Sequence, residues 1–224
     1  MKALIGTGFC ATSEKDYDVK FEFFRNVWQP NTGERDVVMV DNTDEEIGMK
    51  VAFADRTRII SVNKNLGHVG QHLGAYRPHL LGFSLSWIIP ALVAYSEQRD
   101  FIYKEADCLA FGSWEESILK DMEERNLQMA YGEGSKWACT EQSLFYIKWE
   151  FLSEAIWSYL SIPDGDGKIL PEDKFRMMSE RNMRVGKFSI GCGRSRPIDY
   201  DAAAWYAQKF SDEEMQELRA RKLI

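Results

Sequence analysis

The sequence predicts an α/β fold, a single domain whose mainly parallel central sheet is flanked by helices. Three observations predict it. Short, unbroken β-rich runs alternate with segments of helical period, the pattern of repeated strand–helix–strand units. At 224 residues the chain has enough material for a core without disulfide or metal staples. Its 45% hydrophobic and 28% charged residues are those of an ordinary globular protein. No internal repeat, low-complexity tract or interdomain linker divides it. The expected organisation is one domain over residues 1–200, with a helical tail, 201–224, packed on it.

The elements follow in order. Ala3–Thr12 is a short apolar run broken by glycines, read as a buried strand entering a loop. Asp16–Trp28 places Tyr17, Phe21, Phe24 and Trp28 at helical spacing, and Pro30–Gly33 is a turn cluster that ends it. Asp36–Thr43 and Arg58–Val62 are the second and third strands. Leu66–Tyr76 holds three glycines and two histidines, then leads into an apolar stretch. Pro78–Ser96 carries no Asp, Glu, Lys or Arg. Its length approaches the ~18 residues of a membrane span, but His79, Ser84, Ser86 and Pro90 interrupt it, and a buried core helix is expected. Asp100–Phe111 reads as a fourth strand with charges in its middle, and Trp114–Arg125 as an amphipathic helix. Leu127–Tyr131 and Ser143–Ile147 read as strands. Lys148–Leu160 is helical, with Trp149, Leu152, Ile156 and Tyr159 on one face. In the tail, Ser211 followed by Glu214 matches a capping box.

Charge and cysteine usage exclude several classes. Against 28 Lys+Arg stand 35 Asp+Glu, a net −7, and a general nucleic-acid binder is normally basic. Cys10, Cys108, Cys139 and Cys192 form no CxxC pair, so neither structural zinc nor a disulfide framework is expected. The apolar run at the N-terminus is too short for a signal peptide's core of about 7–15 residues. Reduced thiols and a cytoplasmic protein are the expectation.

In a parallel sheet, ligands bind beyond the carboxyl ends of the strands. That rule selects Thr7, Gly8 and Phe9, then Asp41 and Asn42, Asn63 and Lys64, and Glu105–Asp107. In Phe101–Phe111 an apolar strand meets acid–small–acid and then resumes. Carboxylates inside a sheet are costly without a compensating cation. Around a turn, Glu105 and Asp107 can converge on one Mg²⁺ or Mn²⁺ completed by substrate phosphates. An edge strand with solvated charges is the equal alternative from spacing alone.

Lys174–Pro197 holds seven cations against the single acid Glu180, a local +6 that leaves −13 elsewhere. Arginine forks suit phosphate oxygens. Gly191–Pro197 is both basic and glycine-rich, so its backbone can approach a diphosphate closely. A solvated basic helix face and a nucleic-acid patch are the other readings. Pro171–Glu172–Asp173 stands just before this run, which is read as a basic helix. Acids there favour the helix dipole or serve as a general base toward a substrate hydroxyl. His68 and His72 stand four apart among glycines and suit ligand contacts better than a metal pair. Gly67, Gly70 and Gly74 do not spell GxGxxG. Asp164–Lys168 begins like a calcium loop but departs from it at Lys168. Trp137 is the tryptophan best placed to stack on a sugar.

Taken in order, these residues resemble a nucleotide-sugar glycosyltransferase of the GT-A fold, a Rossmann-related architecture, over residues 3–197. Thr7–Gly8–Phe9 resembles its nucleotide-binding opening. Asp41–Asn42 resembles the position that contacts base and ribose. Asn65–Leu66–Gly67, with His68 beside it, resembles the segment that leads to the helix before the metal motif. Glu105–Ala106–Asp107 resembles the DxD motif that holds Mn²⁺ or Mg²⁺ on the donor diphosphate. Glu172–Asp173 resembles the acidic pair that faces the acceptor. The resemblance implies a sugar donor, with UDP the commonest carrier, and a glycan or glycoprotein acceptor. The compact length is similar to small glycosyltransferase domains of large algal viruses; for a viral chain the compartment would be the host cytoplasm. Two departures stand out. Glu105 replaces the first Asp, and no His follows His79 to serve as a late metal ligand, leaving Arg194 or Arg196 to supply diphosphate charge. A nonenzymatic nucleotide- or sugar-binding module on the same fold is the alternative. A phosphatase needing an early DxDGT finds no aspartate in Ile5–Gly8.

Overall fold

The computed structural model describes residues 2–43, 56–62, 81–135, 138–163 and 169–224. Strand β1 (Leu4–Phe9) leads into helix α1 (Glu14–Phe23), capped by Ser13, whose Oγ accepts from the Asp16 amide. The helix continues as a π-helical turn, Phe24–Trp28, and then a 3₁₀ turn, Pro30–Thr32. Next come β2 (Val37–Asp41), β3 (Thr57–Ser61), α2 (Leu81–Ser96), β4 (Phe101–Lys104), β5 (Cys108–Gly112) and α3 (Trp114–Glu124). Then follow β6 (Met129–Ser135), β7 (Ala138–Ile147), a 3₁₀ turn at Trp149–Phe151, α4 (Leu152–Ser161) and α5 (Pro171–Arg181). The chain ends through β8 (Val185–Phe188), β9 (Cys192–Gly193), β10 (Ala204–Gln208) and α6 (Asp212–Ala220).

The main sheet has seven strands in the order β3-β2-β1-β4-β7-β6-β8. It is mostly parallel: only β7 runs against its neighbours β4 and β6. A second sheet has the order β5-β10-β9. Alternation along each strand sends successive side chains to opposite faces. Leu4, Val38, Phe101, Tyr103 and Phe145 face α2, α4 and α5 and join an aromatic cluster around Phe175. Ile5, Val37, Met39 and Ile102 face α1, α3 and the small sheet. Helix α2 sits close against β1. A Cβ on Gly6 would lie 2.7 Å from Pro90 Cβ, and one on Gly8 would lie 2.5 Å from Ser86 Cβ. No described helix is long and apolar enough to cross a membrane.

Three readings of the sequence are corrected. Asp100–Phe111 is not one strand: β4 and β5 belong to different sheets, and the chain turns between them at Glu105–Asp107, closed by the Cys108 amide on the Glu105 carbonyl at 2.9 Å. Burying three more residues in one sheet would have left two carboxylates inside it. The basic run Lys174–Pro197 is not one helix but spans α5, β8 and β9. The tail is not wholly helical, because Trp205–Tyr206–Ala207 pair inside the small sheet, where burying two aromatic rings outweighs helix propensity.

Candidate functional site

Because β1, β2, β3 and β4 are parallel, their carboxyl ends share one edge; Phe9 pairs with Asp41, and Asp41 with Ser61. Antiparallel β7 brings its N-terminal half to that same edge, where the Glu105 amide donates to the Ser143 carbonyl at 2.8 Å. That half reads Thr140–Glu141–Gln142–Ser143. All four polar side chains are buried, and Glu141 Oε2, Gln142 Oε1 and Ser143 Oγ have no hydrogen-bond partner. Buried polar groups are normally paired, so such a stretch marks a place where something else supplies the partners.

Glu141 is the hub. Its Oε1 accepts from Gln208 Nε2 at 2.8 Å and lies 3.7 Å from Arg194 Nε. Room for it depends on glycine: a Cβ on Gly193 would come within 2.8 Å of Glu141 Cγ. Burial raises the Glu141 carboxyl; Arg194 opposes this, Glu172 adds to it, Lys209 opposes it and Asp107 adds to it. Glu105 is 7% exposed, and its Oε1 has no partner. Burial and Asp107 hold Glu105 well above the usual carboxylate range; Arg194 pulls it back, and Glu141 and Glu172 push it further. Glu105, Asp107, Glu141, Glu172 and Arg194 therefore share one electrostatic neighbourhood. Among the described residues, no group of three or more His, Cys, Asp or Glu side chains is arranged to hold a metal ion. Two carboxylates completed by phosphate and water are the Mg²⁺-type alternative.

The two acids at the start of α5 part company. Thr140 Oγ1 donates to the Glu172 carbonyl at 2.8 Å, which fixes that residue beside β7. Asp173 instead caps its own helix, its Oδ2 accepting from the Leu170 amide at 3.3 Å with Arg176 3.7 Å from Oδ1. The two loop arginines differ as well. Arg194 faces Glu141, whereas Arg196 bonds Glu214 and the Gln208 carbonyl, the latter at 2.9 Å. Farther along the basic run, Arg176 pairs with Glu180 at 2.6 Å and Arg184 with Glu154 at 2.6 Å. The +6 segment is thus dispersed over several partners.

Of the other sequence candidates, Thr7 is fully buried with Oγ1 unpartnered, and Phe9 packs edge-on against Tyr17 at 5.4 Å. Gly8 is where α2 approaches β1. Asp41 accepts from the Thr43 amide at 2.8 Å, and Asn42 is buried with Oδ1 unpartnered. Asn65, His68, His72, Trp137 and the Asp164–Lys168 loop lie outside the described residues. Sequence reasoning missed Glu141 and Gln208. The available signal was a run of four polar residues entering an apolar strand.

No protein-family model matches the chain. No curated protein matches it either. Among solved structures, the apo form of mouse xyloside xylosyltransferase 1 is similar over 84% of this chain and 85% of that one, at 8% identity and a TM-score of 0.44.

Proposed function

We propose that this chain is a glycosyltransferase that moves a sugar from a nucleoside diphosphate donor, UDP by preference, to a hydroxyl of a glycan or glycoprotein. The observation that carries the reading is Glu105. It is a buried carboxylate with an unpartnered oxygen, in a turn with Asp107 at the carboxyl edge of a mainly parallel sheet.

A hard divalent cation fits this donor set, since burial and the Asp107 charge raise the proton affinity of Glu105 and a cation there would oppose both. Glu105 and Asp107 would hold Mn²⁺ or Mg²⁺. When bound, such an ion supplies positive charge to the leaving diphosphate. Arg194 adds a fixed positive charge to the same leaving group. Glu172 takes the proton from the acceptor hydroxyl in an inverting course, or orients the sugars in a retaining one. Asn42 offers its free Oδ1 to the ribose or base. Thr7–Phe9, Asn65 and His68 complete the donor contacts in this reading, while Asp173 holds the start of α5 and Arg196 the loop at Gly193–Ser195.

The test is calorimetry with UDP, with and without Mn²⁺, followed by a panel of nucleotide sugars. UDP is expected to bind only with the metal, and Asp107→Asn to abolish that binding. Equal binding by the variant would sink the proposal. Donor binding without hydrolysis or transfer across the panel would make the chain a binding module instead.

A further inference from the structure

We infer that Trp28 and Asn31 form a clamp that positions the Glu105–Asp107 turn. Their role toward a ligand rests on the function proposed above. Residues 105–107 lie between two sheets and belong to neither, and among their backbone bonds only the Glu105 amide, on Ser143 of β7, reaches a strand of the main sheet. The π-helical and 3₁₀ turns that follow α1 hold the turn from the other side. Trp28 is fully buried and stacks on Phe24 with ring centroids 4.7 Å apart. Its indole Nε1 donates to the Glu105 carbonyl at 2.7 Å. That carbonyl also accepts from the Cys108 amide at 2.9 Å, and the Glu105 amide donates to Ser143 at 2.8 Å. The backbone of Glu105 is therefore fully bonded, while its carboxylate Oε1 is bonded to nothing. A fully bonded backbone carrying an unpartnered carboxylate oxygen is how a ligand-binding group is held ready.

Asn31 closes the other flank. Its Nδ2 donates to the Ala110 carbonyl at 2.9 Å, and its Oδ1 accepts from the Ala110 amide at 3.0 Å. The same Oδ1 accepts from Lys104 Nζ at 2.5 Å. One carboxamide thus ties the residue before the turn to a residue beyond it. Lys104 Nζ also sits 4.8 Å from the centre of the Trp28 ring, which joins the two halves of the clamp. Packing alone would be met by any large aromatic ring at position 28. The indole N–H is the part aimed at Glu105.

The experiment uses the full chain carrying Trp28→Phe, which keeps a ring and removes the N–H, and separately Asn31→Asp, which keeps the acceptor for Lys104 and removes the donor to Ala110. Hydrogen exchange is read at the Glu105 and Cys108 amides, with Val38 and Val40 as internal controls, and Mn²⁺–UDP affinity is read by calorimetry. Both variants should speed exchange at the turn about tenfold or more, with the controls unchanged. Mn²⁺–UDP affinity should fall about 10–100-fold, the range for losing a group that orients a metal ligand. Wild-type exchange at the turn in both variants overturns the clamp. Faster exchange with unchanged affinity overturns its positioning role. If the wild-type chain binds no Mn²⁺–UDP yet exchange still accelerates in the variants, the glycosyltransferase reading falls and the clamp stands.

Discussion

Two turns at the same edge of the sheet carry buried acids and treat them in opposite ways. At the end of β2, Asp41 is 2% exposed, and its Oδ1 accepts from the Thr43 amide at 2.8 Å. Thr43 Oγ1 in turn accepts from the Ala11 amide at 3.1 Å, so the acid stitches its loop to the end of β1. After β4, Glu105 is nearly as buried, but its Oε1 has no partner and every named acid around it pushes its pKa up. Burial is common to both turns. The missing partner is what separates a carboxylate that builds a loop from the one that the proposed function assigns to a ligand.

The acids that open α5 repeat the contrast and give its largest test. Asp173 caps its helix, while Glu172 lies within electrostatic reach of Glu105 and Glu141. In an inverting enzyme, Glu172→Gln should lower kcat by roughly 10²–10⁴-fold, the range for a lost general base, with thermal stability kept. Asp173→Asn should cost at most about 1 kcal/mol of stability through the cap and leave kcat near wild type. Equal losses of kcat in both variants would erase the distinction.

The second test compares the two turns directly. Glu105→Gln should weaken Mn²⁺–UDP binding about 100-fold by removing a charge that faces the cation, at little cost in stability. Asp41→Ala should lower stability by about 1–2 kcal/mol, the cost of an unpaired buried amide, and change binding less than threefold. Denaturation and calorimetry on the same samples give both readouts. A large binding loss in Asp41→Ala would return Asp41 to the donor contacts that its place at the carboxyl end of β2 suggests.

Legibility in the sequence followed the same division. The parallel half of the sheet was readable because both faces of each strand are buried: runs such as Val37–Val38–Met39–Val40 have no other use. Glu105 and Asp107 were readable as acids breaking an apolar run. The turn they occupy was not, because which sheet Cys108–Phe111 joins is settled by pairing with β10, far along the chain. Glu141 escaped for a related reason. Thr140–Gln142 look like a loop ahead of the strand read from Ser143 until β6 is laid beside them, and only then do they become a buried part of β7. Nor does sequence separate Arg194 from Arg196. Their roles are set by Glu141 and Glu214, which lie 53 positions before the first and 18 after the second.

Lys104 offers the smallest effect and the sharpest sign. It is fully buried one residue before Glu105, yet it faces the opposite side of the sheet, toward Asn31 and Trp28. Burial pushes its ammonium down from 10.5 to about 7; Cys108 opposes this and Arg35 adds to it. Below about pH 7 both the folded and unfolded chains hold the proton, and the cost of burying the charge is fully present. Between about 7 and 10.5 only the unfolded chain holds it, so stability from this group rises with pH. Burial raises the Cys108 thiol as well, so from near its ordinary value of 9 upward that group works in the opposite direction. The clean window is pH 6.5–8.5. Across it Lys104 should add about 2 kcal/mol, by the linkage slope of about 1.4 kcal/mol per pH unit. Urea denaturation of the wild type and of Lys104→Met at pH 6.5, 7.5 and 8.5 subtracts every other titrating group. The difference between the two profiles should grow with pH in favour of the wild type. Parallel profiles would mean that Lys104 stays charged in the folded chain, with Asn31 and the Trp28 ring sufficient to hold a cation on the side of the sheet away from Glu105.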